Sequence, residues 1–293
     1  RWVWYALLIA ATAVIGVAAA QYLRPSTDFF HVRGTFGNRN VLGGYLAMIL
    51  PLVAGALLSG GEARWVRAWM VLLLVAGVVV NLSGAAGLAL VLAFSVMGAL
   101  RGGRVFLGVA VAIVLAVCVL NHVLPRENGR IMADSILLHG ANGEVSHRYT
   151  EWQVASTMWS QNPWLGVGIG NYQGNIGTYY GSLYDPPGPK EADTENQYLV
   201  LASSTGPAGL VCFTGMLLLF MRRALKVFFG CPDRQVQGLA LGVVAAVLGF
   251  AVNSFWSPLL VRGIGIVLAI LLWGEPPFVI ARKGWEWAWI LFF

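Results

Sequence analysis

Two kinds of side chain in this sequence are suited to moving a charged leaving group and a proton. One is a set of arginines that stand apart from the other basic residues; the other is a carboxylate at the edge of an apolar run. Arg148 leads the segment Arg148-Tyr-Thr-Glu-Trp-Gln-Val-Ala-Ser-Thr-Met-Trp159, Arg33 and Arg39 flank Gly34-Thr-Phe-Gly-Asn38, and Arg262 lies in a later apolar stretch. A guanidinium presents a planar fork of donors that matches phosphate oxygens two at a time. Glu195 opens the run Glu195-Asn-Gln-Tyr-Leu199. A carboxylate at the mouth of an apolar helix is costly unless it is solvated, paired or useful. One use is as a general base toward a hydroxyl. His147 beside Arg148, together with Asn38, Asn40, Asn196 and Tyr198, stands near enough in sequence to line the same site. Plainer roles compete at every position. Asn38 and Asn40 can cap the helix after them, and Asp193 or Thr194 the helix after Glu195. The arginines can be solvated loop charges, as can His31, His122, His139 and His147.

The elements that must position these groups are membrane helices. The chain has 293 residues, of which 58% are hydrophobic and only 11% charged, against about 25% charged in soluble domains. No soluble core hides that much apolar surface, so lipid is the solvent for most of it. Runs near 2–22, 42–59, 66–82, 85–100, 104–123, 197–221, 236–254 and 259–275 approach the about 20 apolar residues a span requires. About eight spans are therefore expected, in an all-α polytopic membrane protein. Residues 1–123 hold spans one to five, and 124–196 a large loop with an amphipathic helix. Spans six to eight occupy 197–275, and 276–293 is a tail or the start of a further helix. The chain opens at Arg1 in an apolar segment and stops at Phe293 in an aromatic one, which reads as a fragment of a longer membrane protein.

Arg and Lys in short loops set orientation. Arg64, Arg67, Arg101, Arg104, Arg222, Arg223, Lys226, Arg234, Arg282 and Lys283 all fall on one side of eight alternating spans, the expected cytoplasmic side. The net charge of +6 is thereby explained as topology, and nucleic acid is not an expected partner. The segments 23–41, 83–84, 124–196 and 255–258 face the other way. Arg24, Arg33, Arg39, Arg126, Arg130, Arg148 and Arg262 are on that outer side, where no topology signal requires them.

Within the large loop, Trp152, Ala155 and Trp159 recur at helical spacing, and Arg148 can pair with Glu151 one turn away. Asn162-Pro-Trp-Leu-Gly-Val-Gly-Ile-Gly-Asn171 lacks the strand and the GK[ST] of a phosphate loop and reads as a tight connector. Small residues in Ser83-Gly-Ala-Ala-Gly87 and from Gly242 to Gly249 suit close helix packing in lipid. Cys118, Cys212 and Cys231 have neither metal spacing nor a plausible disulfide pairing and are expected to be buried small hydrophobes. There is no HExxH, no metal-ligand cluster and no Ser-His-Asp signature.

Three elements carry a resemblance to a known family. Gly34-Thr-Phe-Gly-Asn-Arg-Asn-Val-Leu-Gly-Gly-Tyr-Leu46 resembles GTFGNPN-x-LAGYL. Arg148 with Trp152 and Asn162-Pro-Trp-Leu-Gly-Val-Gly-Ile-Gly-Asn-Tyr172 resembles R-x3-W…PLLGVGxGNF. Glu195-Asn-Gln-Tyr-Leu199 with Gly206 and Gly209-Leu210 resembles HN-x-YL…G-x2-GL. Together, and in this order, they are similar to the O-antigen ligases and Wzy-type polymerases of bacterial membranes. The resemblance implies a GT-C-like glycosyltransferase of the inner membrane with its active face in the periplasm. Such an enzyme moves a glycan from a polyprenyl-diphosphate carrier to a hydroxyl on a glycan, lipid or protein acceptor, by inversion and without metal, nucleotide sugar or other cofactor. It implies that Arg148 meets the diphosphate, with Arg33, Arg39 and, more weakly, Arg262 as further candidates by location. Glu195 stands where the ligases have His; a carboxylate can replace imidazole as a base but not as a cation. The Ser-Arg-Gly often found near an early span is matched only by Ser83-Gly-Ala-Ala, without the arginine. A transporter or flippase of lipid-linked glycan, or an inactive scaffold of an envelope-polysaccharide complex, are the alternatives. The first would carry charged residues along a path through several spans.

Overall fold

The computed structural model describes residues 2–24, 32–81, 83–102, 144–180, 195–265 and 267–269. Among these residues the regular structure is entirely helical: α1 (Trp2–Tyr22), α2 (Arg39–Ser59), α3 (Arg64–Val80), α4 (Gly84–Arg101), α5 (Glu144–Gln161), α6 (Tyr172–Tyr180), α7 (Gln197–Gly230) and α8 (Arg234–Asn253). Five of them, α1, α2, α4, α7 and α8, are long and apolar enough to cross a bilayer. With this architecture the chain is a multi-pass membrane protein. The expected third span is present as α3, but at 17 residues it is shorter than those five. The expected span at 104–123 lies outside the described residues, as do the Pro-rich turn 185–189 and the tail after 269.

α2 is the central helix. Asn38 starts it by accepting a hydrogen bond from the Val41 amide at 2.9 Å, and Gly60, at φ 73°, ends it. Val41 to Val53 is buried throughout. Such all-round burial is unusual for a helix facing lipid and requires neighbours on every side. α8 is the closest of them. The two run antiparallel: Gly44 meets Asn253, Ala47 meets Gly249, Leu52 meets Gly242, Gly55 meets Gly238, and beyond the helix end Gly61 meets Gln235. A side chain at Gly55 would run into the Gly238 carbonyl, and one at Gly238 would lie 2.5 Å from the Gly55 carbonyl. The contact is therefore backbone on backbone, as small residues permit in lipid, where dispersion rather than water exclusion holds helices together. Pro51 adds to it. With no N–H, it leaves the Ala47 carbonyl without its helical partner. That carbonyl faces Gly249, where any Cβ would collide with it; an α-carbon hydrogen fits and supplies a weak C–H···O contact.

α3 and α4 flank this pair. Gly43 of α2 faces Ser83 and Ala86, so the small residues before and within α4 let it close on α2, and α4 also packs on α8 through Ala93 and Met97 against Leu241 and Ala245. α1 packs on α3, where the Trp69 indole donates to Thr12 Oγ1 at 3.0 Å. The basic ends meet at one pole. Arg101 donates to the Leu58 carbonyl at 3.3 Å and to Gln237 Oε1 at 3.5 Å, placing a cation on the carbonyl-rich end of α2.

Three expectations are corrected. The sixth span is not a single helix ending near residue 221. It runs to Gly230 and is broken at Gly206 (φ 67°, ψ −168°), just before Pro207. The last span does not begin at residue 259, because 254–264 is a series of turns closed by contacts such as the Ile264 amide on the Leu259 carbonyl at 3.0 Å. Cys212 is exposed on α7 and Cys231 partly so, both as free thiols rather than buried ones; the α7 surface around Cys212 faces lipid, which a thiol tolerates.

Gly55→Val is expected to destabilise the helical bundle by about 1–3 kcal/mol or more through overpacking. Gly16→Ala, on an exposed stretch of α1 with open space around it, should fall within about 0.5 kcal/mol of the parent. Thermal unfolding of the two variants in detergent checks the difference.

Candidate functional site

The end of the bundle opposite the Arg101 pole collects the polar groups. Here α2, α4 and α7 begin and α1, α3 and α8 finish. The mouth of α7 is its hub. Asn196, and not the expected Asp193 or Thr194, caps that helix: its side chain accepts from the amides of Tyr198 at 3.0 Å and Leu199 at 3.1 Å. The Gln197 amide donates to the Ser254 carbonyl at 2.8 Å, and its side-chain oxygen accepts from the Leu260 amide at 2.8 Å. Tyr198 donates to the Ala251 carbonyl at 2.8 Å and packs against Phe255 with ring centroids 4.5 Å apart and planes tilted by 44°. Gln197 and Tyr198 thus bind the start of α7 to the end of α8 and to the turns that carry Arg262.

Glu195, half-buried, joins this hub to α5. Its amide donates to Glu151 Oε2 at 3.4 Å. Glu151 is one turn along α5 from Arg148, so the backbones of the arginine and of Glu195 lie at the same corner. The backbone of His147 and Arg148 lies near the start of α5; their side chains lie outside the described residues, and so does the expected Arg148–Glu151 pair.

On the other side of the hub stands the first turn of α2. Arg33 is exposed and donates to the Gly37 carbonyl at 3.3 Å within its own turn. That turn is clamped to α1 by Gln21, whose side-chain oxygen accepts from the amides of Arg33 at 2.9 Å and Gly34 at 2.8 Å. Arg39 is half-buried as the first residue of α2. Asn38 is a cap. Asn40 is not; its side-chain oxygen accepts from Ser83 Oγ at 3.2 Å, tying α2 to the residue before α4. One helical turn later Gly44 sits against Asn253 and Leu259. Glu195, Arg262, Arg39 and Asn40 are thereby gathered at one end of the bundle, while Arg33 lies farther out on the α1–α2 turn.

Sequence reasoning missed the residues buried under this corner. Asn253 is 0% exposed, and neither its side-chain oxygen nor its nitrogen has a hydrogen-bond partner. Ser257 and Asn81 are also buried, with Ser257 Oγ and Asn81 Oδ1 unpartnered. Buried polar groups are normally satisfied; two of these three, Asn81 and Asn253, lie against Gly43 and Gly44 of α2, a polar spot in an otherwise apolar bundle. The signal available in sequence was Asn253-Ser-Phe-Trp-Ser257, a polar interruption at the end of an apolar run.

The described segment 144–180, part of the expected large loop, is folded onto α7. Its helix α5 buries Val154, Ala155 and Met158 against α6 and Val200, while Trp152 and Trp159 are only half-buried. The packing face is therefore offset from the expected Trp152–Ala155–Trp159 stripe, because α7 and α6 cover one side of the helix rather than the bilayer surface alone. α6 itself was not foreseen. The connector between them is tight, as expected: Gly166, Gly168 and Gly170 all take positive φ. It fills the break in α7. Pro207 has no N–H for the Ser203 carbonyl, and the turn at Gly206 takes the next amide out of line with Ser204. Those two carbonyls accept instead from the amides of Val167 at 2.8 Å and Gly168 at 2.9 Å. Ser203 Oγ adds a hydrogen bond to the Ala155 carbonyl at 3.0 Å.

The O-antigen ligase family model matches residues 69–214, about half of the chain. The chain belongs to the O-antigen ligase family. No curated protein matches it. Membership implies glycan transfer of the O-antigen ligase or polymerase type in envelope polysaccharide biosynthesis. The matched region holds Arg148, Trp164 to Gly170, Glu195 and the broken start of α7. Arg33 to Asn40 and Asn253 to Arg262 lie outside it; contacts with Gln197 and Tyr198 link the end of α8 to this ligase-type core, and Gly44 links α2 to the end of α8.

Gln197→Ala is expected to cost about 1–3 kcal/mol, because the Leu260 amide loses its acceptor. Hydrogen exchange at Leu260 should accelerate in that variant while exchange in the middle of α8 is unchanged. Asn253→Leu should leave thermal stability equal or higher, since it removes an uncompensated amide.

Proposed function

We propose that this O-antigen ligase family member transfers a glycan from a polyprenyl-diphosphate carrier to an acceptor hydroxyl, at the end of the bundle where α7 begins, which faces the periplasm of an inner-membrane protein. The carrier approaches from the leaflet on that side. Arg148 holds the diphosphate, with Arg39 and Arg262 contributing positive charge to the same end and Arg33 at its rim. The Glu195 carboxylate takes the acceptor proton as the acceptor oxygen bonds to the anomeric carbon. The bond from that carbon to the diphosphate oxygen breaks, and its electron pair leaves on the diphosphate. Attack opposite the leaving group inverts the anomeric centre. Cations aimed at the departing phosphate stabilise charge where it develops. This chemistry asks for no metal.

The observation that carries the reading is the hydrogen bond from the Glu195 amide to Glu151, 3.4 Å long and one helical turn from Arg148. It joins a base and a phosphate ligand that are separated by 46 intervening residues of sequence. The transport reading is less well supported. The Arg and Lys residues of the described spans sit toward their ends, Arg39 at the upper pole and Arg101, Arg222, Arg223, Lys226 and Arg234 toward the lower, and none lines a path between.

Glu195→Ala and Arg148→Ala, expressed at wild-type membrane levels in a strain lacking its own enzyme, are each expected to lower transfer by about 10²–10⁴-fold, the usual range for a positioned acid–base group. Unmodified lipid-linked substrate should accumulate. Normal levels of product from both variants would overturn the assignment. Glu195→His is expected to retain more activity than Glu195→Ala, because imidazole also accepts the proton.

A further inference from the structure

The connector between α5 and α6 exposes more apolar surface than its length warrants. Trp164 is 79%, Leu165 80% and Ile169 87% exposed, in a unit whose other exposed residues are mostly polar, among them Gln153, Ser156, Thr157, Ser160 and Asn175. These side chains cannot fold back. Gly166 and Gly168 hold positive φ at 63° and 98°, and the amides of Val167 and Gly168 are bonded to the Ser203 and Ser204 carbonyls. The backbone is sealed against α7 on the other side as well: a side chain at Gly206 would collide with the Trp164 carbonyl. The apolar tip is thus rigid and points away from the protein.

Its level along α7 is set by the basic residues below it. About 20 helical residues cross the hydrocarbon, and counting that far up from Arg222 reaches the neighbourhood of Ala202, beside the Ser203–Gly206 break. Below the break α7 presents a stripe of exposed apolar residues, Val211 at 67%, Leu218 at 60% and Leu219 at 55%, the surface a span offers to lipid. The tip therefore continues the lipid-facing surface of α7 at the boundary between hydrocarbon and headgroups, where indole rings are favoured. Backbone that is not helical is tolerated at this depth only when its polar groups are satisfied by protein, and the two bonds to Ser203 and Ser204 do that.

We propose that the Trp164–Ile169 connector is a membrane-inserted wedge, with Leu165 and Ile169 among the acyl chains of the leaflet at the α7 mouth and Trp164 at its headgroup level. The occupant of this surface is bilayer lipid. The large loop is then not a water-suspended cap but an element pinned at two levels, through its hydrogen bonds to the break in α7 and through its tip in the leaflet. The inference rests on the chain spanning a membrane, not on the glycan-transfer reading.

Site-directed spin labelling of the full chain in phospholipid nanodiscs tests it. With Cys118, Cys212 and Cys231 changed to Ser, single labels are placed by Leu165→Cys and Ile169→Cys, by Val211→Cys as the lipid reference, and by Gly174→Cys on exposed α6 as the water reference. Labels at 165 and 169 are expected to match 211, with several-fold higher collision with oxygen than with a water-soluble nickel chelate. Values matching those at 174 would overturn the proposal. Low collision with both reagents would overturn it too, because the tip would then be covered by protein. A loss of glycan transfer in Glu195→Ala, or its absence, bears on neither result.

Discussion

Everything at the polar end of this protein depends on how closely α2 and α8 approach. Gly55 and Gly238 place backbone against backbone, and Gly249 receives the carbonyl that Pro51 releases. In water such a seam would add little beyond its buried area. In lipid it is a principal source of helix affinity, because the tails compete equally for apolar side chains but cannot match two backbones in contact. The seam sets the register of the pair, and the register brings Gly44 against Asn253. Shifted by a turn, α8 would present Gly249 or Phe250 there, and the α7 mouth, which hangs from Ser254 and Ala251, would move with it.

The second constraint is the break in α7. A proline in a membrane helix leaves a carbonyl with no partner, and hydrocarbon offers none. Here the protein supplies donors from a loop remote in sequence. The consequence reaches beyond hydrogen-bond accounting. The two amides of Val167 and Gly168 dock the whole α5–α6 unit, and α5 brings Glu151 to Glu195. Satisfaction of the broken helix and the docking of α5 at the mouth of α7 are the same event.

That corner differs in character on its two sides. The α5 side and the mouth of α7 carry both carboxylates, Glu151 and Glu195, with Arg148, while Arg39 and Arg262 stand on the α2 and α8 side. The α2 and α8 side carries neutral amides and hydroxyls under Arg39, with Asn253 and Ser257 unpartnered. The α8 residues lie outside the stretch shared with the family, so their part in the site rests on packing alone.

Much of this was legible without a structure. Apolar runs located α1, α2, α4 and α8 to within a few residues, because span length and composition are imposed by the bilayer and are read locally. The sorting of arginines between the two poles was equally plain, as was the ligase-like spacing of Arg148, Gly166 to Gly170 and Glu195. Local reading failed where the decisive partner was distant. Asn196 rather than Thr194 became the cap, Met158 and Val154 rather than Trp159 became the packing face of α5, and α7 broke at a Gly-Pro pair, where the open Ser203 and Ser204 carbonyls are filled from 36 residues away. The sequence by itself determined that this chain lives in a membrane, which end carries the basic residues, and which side chains are available for the chemistry. Only the tertiary structure decided which of them meet. A glycine records in sequence that a close approach is possible, but the identity of what approaches is a property of two segments at once.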